Sequence, residues 1–399
     1  MGIRANFLVT GLAFIGCFVF ASMDSYAIES KTEWDNAFRS IYPGQEPLLG
    51  DPGDFPGDIF AWQGHYWVRA YVSMAETYKD TSYLDRAVRL IDHMFFHRDD
   101  ARAVRGQLNI QNSPYYSAPQ YYLNHRNEAA PGWSRLFGNE HRIEVVTDGQ
   151  IVQSIMRFVE LVQSKPEFGA FQAKAQEYAS KVEETVGMHD SSFVYKRYKD
   201  VPGSYYYPRI NGTGLYTRDL AINHSATMGV ALLLLDKLKG GGTEFGNKAK
   251  AILDYWKAER REVSDQAYDW NYYLRDSGDE DFNHGHIDLS FINMAYRFGL
   301  VSSTEMEKLA NTLTKKIYQG GGSFSNYLDG SSSSDSRTVG YDWIDLVQFD
   351  PLVLDIAKEA YAKDYSVPTW SRPFLGWAEI LRWTAPLKKP MPPQNLRIK

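Results

Sequence analysis

Apolar residues at three- and four-residue steps recur along nearly the whole chain, and they come in pairs joined by connectors too short for anything but a reversal. In the stretch from Trp62 to Tyr78, the residues Trp67, Ala70, Tyr71, Met74 and Tyr78 share one helical face. From Tyr83 to Phe96 the inward set is Leu84, Ala87, Val88, Ile91 and Phe95, and only Lys79-Asp80-Thr81-Ser82 lies between the two. A connector of that size predicts an antiparallel helical hairpin. The pattern returns in Ile151 to Val162 with Phe168 to Val186, Leu220 to Leu238 with Ala249 to Glu259, and Ile287 to Phe298 with Thr304 to Tyr318. A last pair is expected from Leu346 to Tyr361 and Phe374 to Trp383.

Hairpins spaced in this way predict an all-α chain, an (α/α) toroid forming an incomplete ring of six or seven hairpins. The intervals between hairpins are long. Arg105 to Arg142, Tyr195 to Arg218 and Gly320 to Tyr341 carry Tyr, Asn, Gly, Pro and Arg in place of apolar spacing. Loops of that length in a compact domain serve function more often than connection. No Pro/Ser linker or charge block divides the chain, so residues 28–399 are expected to form a single domain.

The first 27 residues have a short positive end at Arg4, an apolar run from Phe7 to Phe20 and the small-residue site Ser25-Tyr26-Ala27, the layout of a secretory signal peptide. The run falls short of the roughly 20 apolar residues of a membrane span. A secreted or periplasmic protein without a membrane span is the expectation, with lipidation at Cys17 as a rival reading. Because Cys17 is the only cysteine, cleavage after Ala27 leaves no disulfide and no thiolate metal site. The net charge of -6 argues against nucleic-acid binding, yet a locally basic cleft still suits an anionic substrate. Aromatics make up 15% of the chain, with 27 tyrosines and 10 tryptophans, which fits either rings that stack on sugars or a large aromatic core.

Ionisable chemistry concentrates in Tyr268-Asp-Trp-Asn-Tyr-Tyr-Leu-Arg-Asp-Ser-Gly-Asp-Glu-Asp-Phe-Asn-His-Gly-His-Ile-Asp288. Alternation puts Tyr268, Trp270 and Tyr272 on one side of an extended stretch. Helix capping accounts for the acids before Phe282, but not for His284, His286 and Arg275. Asn223-His224 opens another apolar helix, where a rigid scaffold would hold an imidazole as a base must be held. His224, Tyr268, Tyr272 and His284 are thus the catalytic candidates, and Asn223, Arg275, Glu280, Arg142, Trp133 and Trp62 the substrate-binding ones. The spacing of His284, His286 and Asp288 matches no strong zinc pattern, and no phosphate loop or dinucleotide fingerprint stands in a supporting context, so neither metal nor cofactor is expected.

The run Ala61-Trp-Gln-Gly-His-Tyr-Trp-Val-Arg-Ala-Tyr71, then Tyr83-Leu-Asp-Arg-Ala87, His97-Arg-Asp-Asp100, Val146-Thr-Asp-Gly-Gln-Ile151, Asn223-His224 and Glu280-Asp-Phe-Asn-His-Gly285, resembles the secreted (α/α)-toroid polysaccharide lyases, closest to the family 38 enzymes acting on alginate or glucuronan. The resemblance spans roughly residues 55 to 385. It implies β-elimination on a uronic-acid polysaccharide by a cofactor-independent monomer. Asn223 and Arg275 would neutralise the uronate carboxylate, His224 or His284 would remove the C5 proton, and Tyr268 or Tyr272 would protonate the departing oxygen. Alternatives are a glycoside hydrolase drawing on Asp269, Asp279, Glu280, Asp342 and Asp345, a uronate C5-epimerase, and a non-catalytic sugar-binding protein.

Overall fold

Local signals set the helix ends. Asp80 and Asp281 cap helices with their carboxylates, Ser302 and Glu305 form a reciprocal capping box, and Lys79 adopts the left-handed conformation that turns the first hairpin. The computed structural model describes residues 28–53, 55–107, 129–137, 140–197, 201–208, 215–219, 221–272, 280–334, 340–366 and 368–385.

Twelve helices among these carry the architecture: α1 Lys31–Ile41, α2 His65–Tyr78, α3 Thr81–Phe96, α4 Val145–Ser164, α5 Gln172–Met188, α6 Ile222–Leu238, α7 Glu244–Glu259, α8 Phe282–Arg297, α9 Ser303–Asn311, α10 Tyr341–Ile344, α11 Leu352–Asp364 and α12 Ser371–Thr384. The even-numbered helices form an inner ring. α2 packs on α4, α4 on α6, α6 on α8, α8 on α10, α10 on α12, and α12 returns to α2. The protein is therefore an all-α (α/α) toroid, and its ring is closed rather than incomplete.

Outer helices follow their inner partners: α3 lies on α2, α5 on α4, α7 on α6 and α11 on α12. The last hairpin differs from the expected pair. Leu346 belongs to the short turn Asp345–Gln348 after α10, Leu352–Asp364 is an outer helix, and Ser371–Thr384 is the sixth inner one. Its cover includes the N-terminal helix α1. Trp34 and Phe38 on α1 are buried, Trp34 Nε1 donates to the Phe374 carbonyl at 3.0 Å, and the Phe38 ring meets Trp67 and Phe374 at 5.5 and 5.9 Å. A segment far away in sequence thus seals the junction between the first and last inner helices.

Close approach in the ring depends on missing side chains. A Cβ on Gly149 of α4 would lie 2.1 Å from Thr227 Oγ1 of α6, and one on Gly229 of α6 would lie 2.6 Å from the Phe291 ring of α8. α6 is buried on nearly every side because α4, α7 and α8 all pack against it, which explains its almost continuous apolar sequence. The aromatic surplus also finds its place: Trp34, Trp67, Trp133, Trp256, Trp270, Trp343 and Trp377 are fully buried.

Since each outer helix reverses direction, the inner helices run parallel. Short connectors lie at their C-terminal end, whereas the described parts of the segments 97–144, 189–221, 260–281 and 318–340 lie at their N-terminal end. Small antiparallel sheets form there that the sequence did not reveal: Arg135–Phe137 with Glu140–Arg142, Phe193–Arg197 with Val201–Pro208 and Leu215–Asp219, Arg261–Val263 with Ala267–Asp269, and Tyr318–Gly320 with Ser323–Ser325 and Ser333–Ser334. No helix among the described residues is long and apolar enough to cross a membrane.

Candidate active site

The N-terminal mouth of the inner ring brings together residues remote in sequence. The chain reaching α8 is pinned at three points: Ile222 N–H donates to the Tyr272 carbonyl at 3.2 Å, Glu280 N–H to the Trp270 carbonyl at 3.0 Å, and Phe282 N–H to the Asn326 carbonyl at 2.8 Å. The first of these bonds sets Tyr272 against the start of α6. The Tyr272 ring stands edge-on to His224, with centroids 6.5 Å apart, and edge-on to His284, with centroids 5.2 Å apart. His284 Nδ1 lies 2.5 Å from Asp281 Oδ2, while Asp281 Oδ1 accepts from the backbone N–H groups of Asn283 and His284. An aspartate cap, two imidazoles and a phenol are therefore neighbours in succession at the mouth.

His224 is half-buried, with a face still open to solvent. Burial, reinforced by the charges of His284 and Arg135, pushes its pKa down to about 3, so the imidazole is neutral near pH 7. Burial alone would raise the Asp281 carboxyl, but the His284 hydrogen bond and the two backbone donors outweigh it and hold the group below the usual carboxylate range. Asn223 is fully buried beside His224, and neither Nδ2 nor Oδ1 has a hydrogen-bond partner among the described residues. Each such unmet group costs about 1–3 kcal/mol.

Glu280 was expected to meet substrate, but the structure turns it inward. It is fully buried, paired with Asp288 beneath the site. Burial, then the charges of Asp288 and Asp281, raises its pKa well above the carboxylate norm. Burial also raises Asp288, to about 7, against the opposing hydrogen bond from Trp270 Nε1 at 2.9 Å. Glu280 Oε2 and Asp288 Oδ1 both lack a donor among the described residues. A side-chain hydrogen bond joins the two carboxyls, which requires a proton on one of them.

Other candidates lie elsewhere. Tyr268 is not brought to His224: its ring packs edge-on to Trp256 at 6.4 Å, with the Arg260 guanidinium 4.8 Å above it. Trp270, on the same side, is fully buried, so of the alternation read as a sugar-facing strip Tyr268 and Trp270 face the core and only Tyr272 stands at the mouth. Trp133, likewise expected at the substrate, is a core residue whose Nε1 donates to the Met94 carbonyl at 2.7 Å. Trp62 is half-buried in a widened π turn, Phe60–Gly64, with Arg135 5.8 Å from its ring centre. Arg142 pairs with Arg135 across the small sheet, and its side chain lies outside the described residues, as does Arg275 altogether.

Sequence reading missed Arg135, which approaches Asp58 at 3.1 Å and Glu144 at 3.3 Å and acts electrostatically on His224. It also missed a second polar group on the other flank of α8. Arg69 grips Asp342 with two bonds of 2.7 and 3.2 Å and lies over the Tyr341 ring at 4.4 Å. His286 Nδ1 is 3.5 Å from Asp342 Oδ2, and its Nε2 accepts from Arg372 at 2.9 Å. The inward spacing of His65 and Arg69 on α2 was the available signal; their distant partners had none.

As for metals, Glu280, Asp281 and His284 can each place one ligand atom within 4.8 Å of the others. Asp281 and His284 also bond each other, Asp281 caps the helix, and Glu280 is paired with Asp288.

No protein-family model matches the chain, and no curated protein sequence matches it. Among solved structures, an inactive variant of an α-1,6-mannanase of Salegentibacter sp. HEL1_6, in complex with α-1,6-mannotriose, is similar at 12% identity over 79% of this chain and 89% of that one, with a TM-score of 0.43. A polysaccharide lyase is similar at 10% identity over 90% and 99%, TM-score 0.38, and Dfg5 from Chaetomium thermophilum in complex with glucosamine at 11% over 92% and 93%, TM-score 0.34. At these values the likeness assigns no family, and the toroid stands on its own helix contacts.

Proposed function

We propose that this chain is a polysaccharide lyase that cleaves a uronic-acid polysaccharide, of the alginate or glucuronan type, by β-elimination. The observation that carries the reading is the neutral, half-buried His224 facing the Tyr272 phenol at the mouth of the ring. His224 takes the C5 proton, the electron pair forms the C4–C5 double bond, the C4–O4 bond breaks, and Tyr272 gives its proton to O4. The His284–Asp281 pair holds the phenol from its other side. A substrate carboxylate beside His224 would favour the imidazolium and lift the depressed pKa towards the range useful for proton transfer.

C5 is acidic enough only if the charge developing on the carboxylate is met by preorganised donors. Asn223, whose amide is unpaired among the described residues, and Arg275 are assigned this role. The parallel inner helices direct their positive N-terminal ends at the same mouth, which favours an anionic polymer despite the overall charge of -6.

Of the five acids that the sequence offers for hydrolysis, four are engaged elsewhere. Asp342 is locked to Arg69, Asp345 to Arg382 and Asp269 to Arg261, while Glu280 is sealed in its pair with Asp288. Among the described residues no two of these acids face each other across the mouth, and Asp279 lies outside them. Export under the 1–27 signal peptide fits a polymeric substrate met outside the cell.

The test is absorbance in the near ultraviolet during incubation with polymannuronate, polyguluronate, glucuronan, heparosan, hyaluronan and pectate. Elimination leaves a conjugated double bond and a rising signal. Reducing ends without absorbance would refute the lyase reading in favour of hydrolysis.

A further inference from the structure

We propose that Arg372, held by His286, binds the carboxylate of the sugar unit next to the one undergoing elimination, so that the substrate is a run of contiguous uronates. The inference rests on the lyase reading above for its choice of ligand. Arg372 enters the mouth from the first turn of α12 and is only half-buried. Two neighbouring guanidiniums are answered by acids, Arg69 by Asp342 and Arg382 by Asp345 and Glu379, while Arg157 of α4 donates to the Ser290 hydroxyl at 3.0 Å. Arg372 has no carboxylate within ion-pair distance among the described residues, and its Nε lacks any partner there.

Its one acceptor among the described residues is unusual. A terminal nitrogen donates to His286 Nε2 at 2.9 Å, which requires that nitrogen to carry its lone pair. His286 is fully buried, and Asp342 faces its other nitrogen at 3.5 Å, favouring the tautomer with the proton on Nδ1. The Tyr66 ring lies 5.6 Å from the guanidinium centre and limits its swing. Asp342, His286 and Tyr66 thus orient a cation while leaving donors free, the arrangement a planar carboxylate fits.

Position on α8 sets the spacing. His284 and His286 are two residues apart in the first turns of one helix and point to opposite flanks, His284 to Tyr272 and His286 to Arg372. The two groups are therefore separated by about a helix diameter, ~10 Å, a gap that two linked sugar units bridge.

The experiment is calorimetric titration of His224→Ala, which binds without turnover, and of the doubles carrying Arg372→Ala or Arg372→Lys. The probes are tetramers of mannuronate, guluronate, glucuronate and galacturonate, and the same tetramers with reduced carboxyls. The tetramer that binds should lose roughly 10- to 100-fold in affinity with Arg372→Ala, less with Arg372→Lys, and the reduced tetramers should be unaffected. Thermal unfolding of each variant checks that the ring is intact, and Arg372→Lys keeps the test valid should the alanine variant fail to fold. Unchanged affinity, equal loss for acidic and reduced tetramers, or no carboxyl-dependent binding would overturn the proposal. Absorbance from the wild type with unchanged Arg372 affinities would sink this inference alone. An Arg372-dependent affinity without absorbance on any polyuronate would retain the subsite and discard the elimination.

Discussion

Tyr272 reaches His224 because its own carbonyl accepts the N–H of Ile222, the first residue of α6, so the bond that holds the strand-like segment to the helix also sets phenol against imidazole. That tether separates the two tyrosines the sequence left equivalent. Tyr272→Phe should lower turnover by about 10²–10⁴-fold, while Tyr268→Phe, altered only at a ring packed on Trp256, should stay near wild type. Steady-state elimination rates with both variants decide it; full activity in Tyr272→Phe would end its assignment as acid.

The depressed pKa of His224 predicts where activity fails in acid. An ordinary histidine would protonate near 6.5, but this one holds out to about 3 in the free enzyme. The acid limb of kcat/KM should therefore fall below about pH 5. A limb centred at 6.5 that persists in His284→Gln would remove His224 as the base.

The Glu280–Asp288 pair predicts a stability change on the alkaline side. Both carboxyls have folded pKa values above the unfolded ones, so their contribution is fully present below about pH 4 and is lost as pH rises through the folded values, about 7 for Asp288. Glu280→Gln supplies an N–H to Asp288 in place of a shared proton. Its melting temperature should gain on the wild type between pH 5 and 8. The depressed histidines, which lose stability in the opposite direction as pH falls below 6.5, cancel in that difference. A constant difference across the range would show that the pair does not share a proton.

Removing one partner of the Arg69–Asp342 pair should be severe. Asp342→Leu leaves a buried guanidinium under the Tyr341 ring and should destabilise the fold by about 3–5 kcal/mol, whereas Arg69→Met with Asp342→Leu should recover much of that loss. Chemical denaturation of the three variants gives the comparison. A double variant no better than the worse single would contradict it.

Ring closure gives a prediction at the N-terminus. Trp34→Ala removes a fully buried indole and its bond to Phe374, and should lower stability by about 3–5 kcal/mol, with early loss of protection in α12 and α2 by hydrogen exchange. Loss confined to α1 would mean that α1 only decorates the ring.

The repeated hairpins and their polar mouths were legible in the chain because helical periodicity is local: each turn of α2, α3, α5 or α7 declares its buried face within a few residues. Asn223, His224 and His284 were legible for the same reason, since unusual chemistry at the start of an apolar helix stands out. Burial and partnership were not local. Trp270 and Tyr272 occupy the same alternation, yet one is driven into the core by Trp256 and Asp288 while the other remains at the mouth. Glu280 looked like a ligand and became half of a buried proton-sharing pair, and Arg372 gave no signal until His286 and Tyr66 were set around it. The sequence determined that there would be paired helices and where their ionisable ends would fall. Only closure of the ring, with α12 packed against α2 and sealed by α1, decided which of those ends face one another, because that depends on contacts between segments that no short-range pattern relates.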